Sequence, residues 1–308
     1  MPDATPKTVL PPEKAARLMK LATYASVSVA LVLIVSKFAA WLMTDAISLL
    51  STLIDSLLDV GASVLNLIAV RHALEPADKE HRFGHGKAEA LSGLAQAAFI
   101  TGSAVFLLLQ AGERLYHPRQ IENTDVGFGV MMLAIVLTLG LVAFQRHVVR
   151  QTGSVAISAD SAHYQMDVLV NVSVIISLLL VSRFGLSLAD PLFAIAIAIY
   201  IIWGAWRIGQ TALHMLMDRE LDDAQRRRVM EIARINPGVK GVHDLRTRSS
   251  GNQVFIQMHL EMDGDITLMD AHVIADDVEI RIMKAFPNAE VIIHEDPEGI
   301  EQGRAVFH

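Results

Sequence analysis

Residues 48–70 read SLLSTLIDSLLDVGASVLNLIAV, an apolar run of membrane-crossing length that nevertheless holds two aspartates, Asp55 and Asp59. A hydrocarbon core about 30 Å thick takes roughly 20 helical residues, so the run reads as a transmembrane helix. Positions four apart share one helix face, which puts the two carboxylates one turn from each other. Ionised, they repel, and each costs roughly 2.5–3.5 kcal/mol near the bilayer centre on the milder scales. The run holds no lysine or arginine to neutralise them. A bound cation is the natural compensation.

Residues 156–174, AISADSAHYQMDVLVNVSV, repeat the device, with His163 and Asp167 again four apart. Asp55, Asp59, His163 and Asp167 together offer three carboxylates and one imidazole that can converge on one point. That donor set suits four-coordinate zinc, and ferrous iron, cobalt, cadmium or manganese also accept it. Taken singly, each residue reads equally as a hydrogen-bonded polar side chain in a helix interface; two such pairs in separate spans favour the cation. Asp160 lies near the start of its span, where a helix N-terminus favours an anion. A capping role and a place on the ion's access path are both open for it.

The remaining chain suits a membrane solvent over its first two thirds. Of 308 residues 52% belong to the hydrophobic set, and the mean hydropathy is +0.40, above that of an ordinary soluble domain. Six runs are long enough to span, over 22–43, 46–70, 90–115, 126–148, 155–182 and 190–214. The first contains one charge, Lys37, able to snorkel or to face a partner. Lys7, Lys14, Arg17 and Lys20 precede it, Arg71, Lys79, Arg82 and Lys87 lie between the second and third spans, and Arg146 and Arg150 between the fourth and fifth. The opposite loops hold only Arg114, Arg119 and Arg183. The positive-inside rule then places both termini in the cytoplasm and a six-helix domain, residues 1–216, in the inner (plasma) membrane. The opening residues show neither a secretory h-region nor a cleavage site, so no removed leader is expected.

Charge and cysteine usage exclude several classes. A net charge of −7 lacks the basic surplus that a nucleic-acid partner requires. With no cysteine, disulfides and a thiolate carrier for Cu(I) are excluded, and any metal site must use imidazole and carboxylate.

Soluble periodicities take over at about Asp218. In LDDAQRRRVMEIARIN, Leu221, Val229, Ile232 and Ile235 suggest one helix face. GVHDLRTRSS and NQVFIQMHLEM alternate as two strands joined at Ser250-Gly251-Asn252, a helix over about 268–285 is stopped by Pro287, and AEVIIHE closes as a strand. The order αββαβ over 217–308 implies a small sheet with helices on one face. The fold class expected is a six-helix membrane protein followed by a small cytoplasmic α+β domain.

Other titratable residues gather in two places. The loop EPADKEHRFGHGKAEAL holds Asp78, His81 and His85 at spacings of three and four, with Gly84 and Gly86 permitting a tight backbone. It is either a solvated loop or an open, water-completed zinc site. His243 opens the first strand of the soluble domain, His259 sits on the second, His272 on the following helix, and His294 and Asp296 close the last. His72, His117, His147 and His214 lie near membrane boundaries and read as interface or structural residues. Lys87 and Asp218 also fall there, placed to form a charge pair coupling the membrane and soluble domains.

The pattern D-x3-D on a second span, H-x3-D on a fifth, six spans and a cytoplasmic αββαβ domain, together with FGHGKAEALSGLAQ and HDLRTR, resembles the cation diffusion facilitator family, in particular its bacterial zinc and ferrous-iron efflux branch. The likeness covers all but about the first 15 and last 10 residues. It implies a homodimeric metal/proton antiporter of zinc, with iron(II) or cadmium as other cargoes. It also implies a metal at Asp78, His81 and His85, and a binuclear zinc site at the dimer interface, bridged by Asp296. Some relatives have glutamine where this chain has Glu295, which either tightens that site or faces solvent.

Three other functions compete. An intramembrane metalloenzyme would want H-E-x-x-H or an open coordination position, and four protein ligands leave none. A membrane-anchored metal sensor would have no use for four intramembrane ligands. A passive channel usually shows symmetric rings of groups and not one closed asymmetric cage.

Overall fold

The computed structural model describes residues 10–44, 47–116, 125–184, 189–299. Six long helices come first: α1 (Pro12–Thr44), α2 (Ile47–Ala73), α3 (Lys87–Tyr116), α4 (Asp125–Thr152), α5 (Val155–Phe184) and α6 (Ala189–Leu216). Among the described residues α1, α3, α4 and α6 are long and apolar enough to cross a membrane on length and composition alone. At 27 and 30 residues α2 and α5 are as long, and they are the helices that carry the polar pairs. The chain divides into two compact units, Met1–His214 and Met215–His308.

The first helix starts ten residues before the expected span, because Pro12 stands at its first position, where a proline's missing N–H is no loss and its φ is preset. This extra length packs: Ala15, Met19 and Ala22 are buried, the last two beside Val70, Val148, Ala156 and Ile157. α1 lies against α2 and α4, α4 against α5, and α5 against α2 and α3. α6 joins through Ile201 and Ala205 against Ile100 and Ala104 of α3. Leu42, Leu109, Val136 and Trp206 stay largely exposed on the outer faces. In lipid such a surface costs nothing, since the solvent is as apolar as the side chains.

Gly153 ends α4 with φ +70, its N–H donating to Val149 O at 2.8 Å, as glycine does at a helix C-terminus. Ser154 then opens α5 by accepting the Ile157 N–H on its Oγ at 3.2 Å. The cap of α5 is therefore Ser154, which removes the capping reading of Asp160.

The second unit is α7 (Asp223–Ala233), β1 (Gly241–Ser250), β2 (Gln253–Met262), α8 (Leu268–Ala285) and β3 (Ala289–Pro297). Asp222 caps α7 by accepting Gln225 N–H at 2.8 Å, and Thr267 caps α8 by accepting Asp270 N–H at 3.2 Å. The sheet runs β1-β2-β3, with β1 and β2 antiparallel and β2 and β3 parallel. Ile256, Met258, Leu260 and Met262 alternate along β2 onto one face and meet Val229, Ile232 and Ala233 of α7 and Ala275, Val278 and Ile282 of α8. Burying each larger side chain contributes about 1.5–3 kcal/mol, so this face holds the domain together. Ile235, expected on the buried face of α7, lies past the helix end and is exposed.

Candidate metal centres

In the helical unit α2 presents Asp59 and α5 presents His163 and Asp167 to one point. His163 Nε2 lies 3.0 Å from Asp59 Oδ1 and 3.9 Å from Asp167 Oδ2, and one ligand atom from each residue falls within 4.8 Å of the others. The His163 side chain is only 5% exposed, while the two carboxylates keep partial access. Its Nδ1 is buried with no hydrogen-bond partner among the described residues. The backbone of Asp55 lies one turn before Asp59 on α2, but its side chain is outside the described residues.

The packing around this point is polar in a way the spans alone do not reveal. Lys37 of α1 donates to Ser56 Oγ at 2.6 Å, beside Asp55 in sequence, so a cation does reach the second span, from a different helix. Asp160 is buried and accepts from Gln145 Nε2 of α4 at 2.6 Å. The Tyr164 hydroxyl and Ser63 Oγ lie 2.8 Å apart, and Ser26 Oγ donates to Ser63 Oγ at 3.1 Å. Glu89, also buried, accepts from Ser154 Oγ. A lysine 19 residues upstream of the serine it bonds leaves no signal in a helical period. Buried polar residues on neighbouring spans leave only a weak one.

On the loop, Asp78 Oδ1 accepts the backbone N–H of Glu80 at 2.9 Å and of His81 at 2.6 Å. The His81 N–H foremost holds the Asp78 carboxyl below its ordinary value against the opposing effect of burial, with the Glu80 N–H and nearby His85 and His81 adding to it. Gly84, with φ +74, turns the chain back so that His85 faces Asp78, Nε2 to Oδ2 3.4 Å, while His81 Nδ1 is 3.5 Å from Oδ1. The three expected residues meet, again with ligand atoms within 4.8 Å. His72, expected as a boundary residue, also turns its ring to His85. His147 bonds Gln151 at 3.0 Å, and His117 lies outside the described residues.

In the second unit strand register builds the cluster. His243 pairs with His259 across β1 and β2, and His259 pairs with His294 across β2 and β3, so three imidazoles form one row. The next row on that face is Gly241, Glu261 and Asp296. Asp296 Oδ2 lies 3.1 Å from His243 Nε2 and 2.8 Å from His259 Nδ1, while Oδ1 lies 3.2 Å from His294 Nε2. Burial alone would raise this carboxyl, but the hydrogen bond and charge of His259 and the charges of His294 and His243 outweigh it and hold it below the usual range.

Glu261, which the sequence did not single out, brings Oε1 to 2.8 Å from His243 Nδ1, off the direction of a hydrogen bond. A Cβ at position 241 would collide with that carboxylate, so the glycine makes room for it. The signal was there, since Glu261 stands two residues after His259 on an alternating strand. Three imidazoles around a two-sided carboxylate are a donor set that fits zinc. His272 is not drawn in; on α8 it lies 3.6 Å from Asp276. Glu295 alternates to the face opposite His294 and Asp296 and adds nothing to the cluster. Asp218 meets Arg248 Nη1 at 3.3 Å within its own unit, and Lys87 opens α3.

Comparison with known proteins gives the family. Residues 23–217 match the cation efflux transmembrane domain and residues 221–298 the cation efflux protein cytoplasmic domain. The cation-efflux pump FieF of Serratia proteamaculans is 49% identical over 92% of this chain and 94% of its own length. FieF of Salmonella arizonae is 48% identical over 91% and 93%. Among solved structures, the metal-bound C-terminal domain of the CzcD transporter from Thermotoga maritima is 26% identical over 27% of this chain and 100% of its own, with a TM-score of 0.25. Curated relatives of such identity and coverage are transporters and not enzymes, and the chain belongs to the cation efflux family, the cation diffusion facilitators.

Proposed function

We propose that the chain exports divalent metal ions from the cytoplasm in exchange for protons, with zinc as first cargo and ferrous iron or cadmium as others. It would do so as a homodimer in the inner (plasma) membrane, both termini cytoplasmic. The observation that carries this reading is the meeting of Asp59, His163 and Asp167 across α2 and α5 inside a membrane bundle. Asp55, one turn away on α2, completes the four-ligand transport site in this proposal.

The exchange follows from the ligands. Carboxylate and imidazole bind a metal only when deprotonated, so metal and protons displace each other at the same atoms. Rocking of the helices that carry the pairs would present the site to each side in turn. An inward proton gradient would then drive metal outward.

Zinc at His243, His259, His294 and Asp296, with His272 as the family likeness implies, would be resident and not cargo. When bound it would tie the three strands through one carboxylate. A ligand that binds one arrangement of a protein shifts the population toward it, which gives these residues and the Asp78–His81–His85 loop a regulatory role. Lys87 and Asp218 would couple the two domains as a charge pair, Arg248 competing for the aspartate.

The test is a flux assay on proteoliposomes under an imposed pH gradient, following zinc uptake and internal pH together. Coupled, opposite movements are expected, and zinc flux without proton movement would refute antiport. Competition by iron(II), cadmium and manganese in the same assay ranks the cargoes.

A further inference from the structure

His72 closes the last turn of α2, and Glu75 follows two residues after the helix ends. Glu75 N–H donates to His72 O at 3.0 Å, which winds the backbone on for another turn and keeps the two side chains together. His72 Nδ1 lies 2.9 Å from Glu75 Oε2. On the other side stands His85, whose ring centroid is 4.5 Å from that of His72 and 4.5 Å from that of His81. His85 thus stands against two other imidazoles, with Glu75 beside His72 and Asp78 beside both His81 and His85.

His85 is the informative one. Its side chain is 5% exposed, and Nε2 faces Asp78, but Nδ1 is buried with no hydrogen-bond partner among the described residues. Buried polar atoms without partners are uncommon enough in folded proteins to require a reason. A histidine at a helix C-terminus beside a glutamate would explain His72 and Glu75 as a surface pair. It would not explain why they stand against a buried imidazole with an unused nitrogen. One ligand atom each from His72, Glu75 and His85 lie within 4.8 Å of one another, as do those of Asp78, His81 and His85.

We propose that His72, Glu75 and His85 form a second metal position on this loop, overlapping the Asp78–His81–His85 position through their common histidine. Two imidazoles and a carboxylate with water completing the shell suit zinc and similar borderline divalent cations. Because His85 serves both triads, one ion occupies the loop at a time and can pass from one triad to the other without leaving the protein. His72 and Glu75 are half-exposed, so this triad is reachable from solvent. The inference rests on the loop being a metal site at all, and its test separates the two claims.

Zinc is counted per chain after equilibrium dialysis of the full-length protein in detergent at a fixed free zinc concentration. Asp78→Ala/His81→Ala and His72→Ala/Glu75→Ala should each keep the wild-type count with weaker binding. The quadruple variant and His85→Ala should each lose one ion per chain. If Asp78→Ala/His81→Ala already binds as few ions as His85→Ala, the second position does not exist and the first stands. If His85→Ala binds as many as wild type, the loop holds no metal and both claims fall. His72→Gln/Glu75→Gln repeats the second arm at nearly unchanged side-chain volume, and an unchanged elution volume on gel filtration checks that each variant is folded.

Discussion

The helical cluster and the sheet cluster use the same donor types, yet they are assembled by opposite rules. On α5 the two clustered residues, His163 and Asp167, stand four apart, so one helix face supplies most of the cluster ready-made, and α2 brings Asp59 to it. In the sheet each strand supplies one imidazole: His243, His259 and His294 are neighbours only because β1, β2 and β3 pair in one register. The helical cluster depends on which faces of two helices meet, the sheet cluster on the phase of three strands. Damage should therefore stay local in the first and spread along a strand in the second.

The largest effect is expected where a charge loses its only purpose. Asp59→Ala or His163→Ala should lower zinc flux in proteoliposomes by more than ~100-fold, since losing even a hydrogen-bond partner of a metal ligand costs about 10–100-fold in metal affinity. Unchanged flux would dissociate the cluster from transport. Asp296→Ala should act next most strongly, but on other readouts. Zinc retained by the cytoplasmic domain should fall by about 10–100-fold in affinity, with weaker dimerisation on analytical ultracentrifugation and a basal transport cycle that survives. A complete loss of transport would erase the distinction between the two clusters.

Smaller changes sharpen the comparison. Gly241→Val should displace Glu261 from His243 and weaken zinc binding by a few-fold, on the order of 1 kcal/mol, without touching any imidazole. Asp277 supplies the smallest effect and a pH signature. Hydrogen bonds from Arg281 first and Asn236 second hold its carboxyl below the usual value. A depressed folded value means stability present above the unfolded value of about 3.9 and lost as pH falls through the folded one. Asp277→Asn should thus cost less than about 1 kcal/mol at neutral pH, given its exposure and solvent screening. The difference from wild type should vanish once the pH has fallen through that depressed folded value, read in hydrogen-exchange protection of α8.

Sequence reading worked best where physics makes a residue anomalous. Carboxylates in an apolar run stand out, and so Asp59, His163 and Asp167 could be paired before their geometry was known. Two limits in the second unit were legible as well: Pro287 and the Ser250-Gly251-Asn252 turn bound elements that run Leu268–Ala285 and Gly241–Ser250. What escaped depends on which element lies beside which. Lys37 reaches Ser56 because α1 packs on α2, and Gln145 reaches Asp160 because α4 packs on α5. In the soluble domain histidine and glutamate are ordinary surface residues, so Glu261 could be chosen only once the rows were known. His72 reads as a boundary histidine in the sequence, which does not show the turn that carries His85 back to it.

The histidine row depends on one residue that is not counted among its ligand atoms. Between His243 and Arg246 β1 advances three positions while β2, from His259 to Gln257, advances two. The surplus is absorbed near Asp244, whose φ of +47 is one that aspartate tolerates better than most. On either side of it the strand is out of step by one: Val242 and Thr247 both pair with core-facing residues of β2, Leu260 and Ile256, although they lie an odd number of positions apart. Removing Asp244 would leave the strand a choice between its two ends. Either Thr247 would rotate out of the core, or His243 would rotate into it. Length along this strand is therefore under tighter constraint than composition. Homologous β1 segments should be exchangeable between relatives when their residue count is preserved, and a single deletion should do what several substitutions cannot.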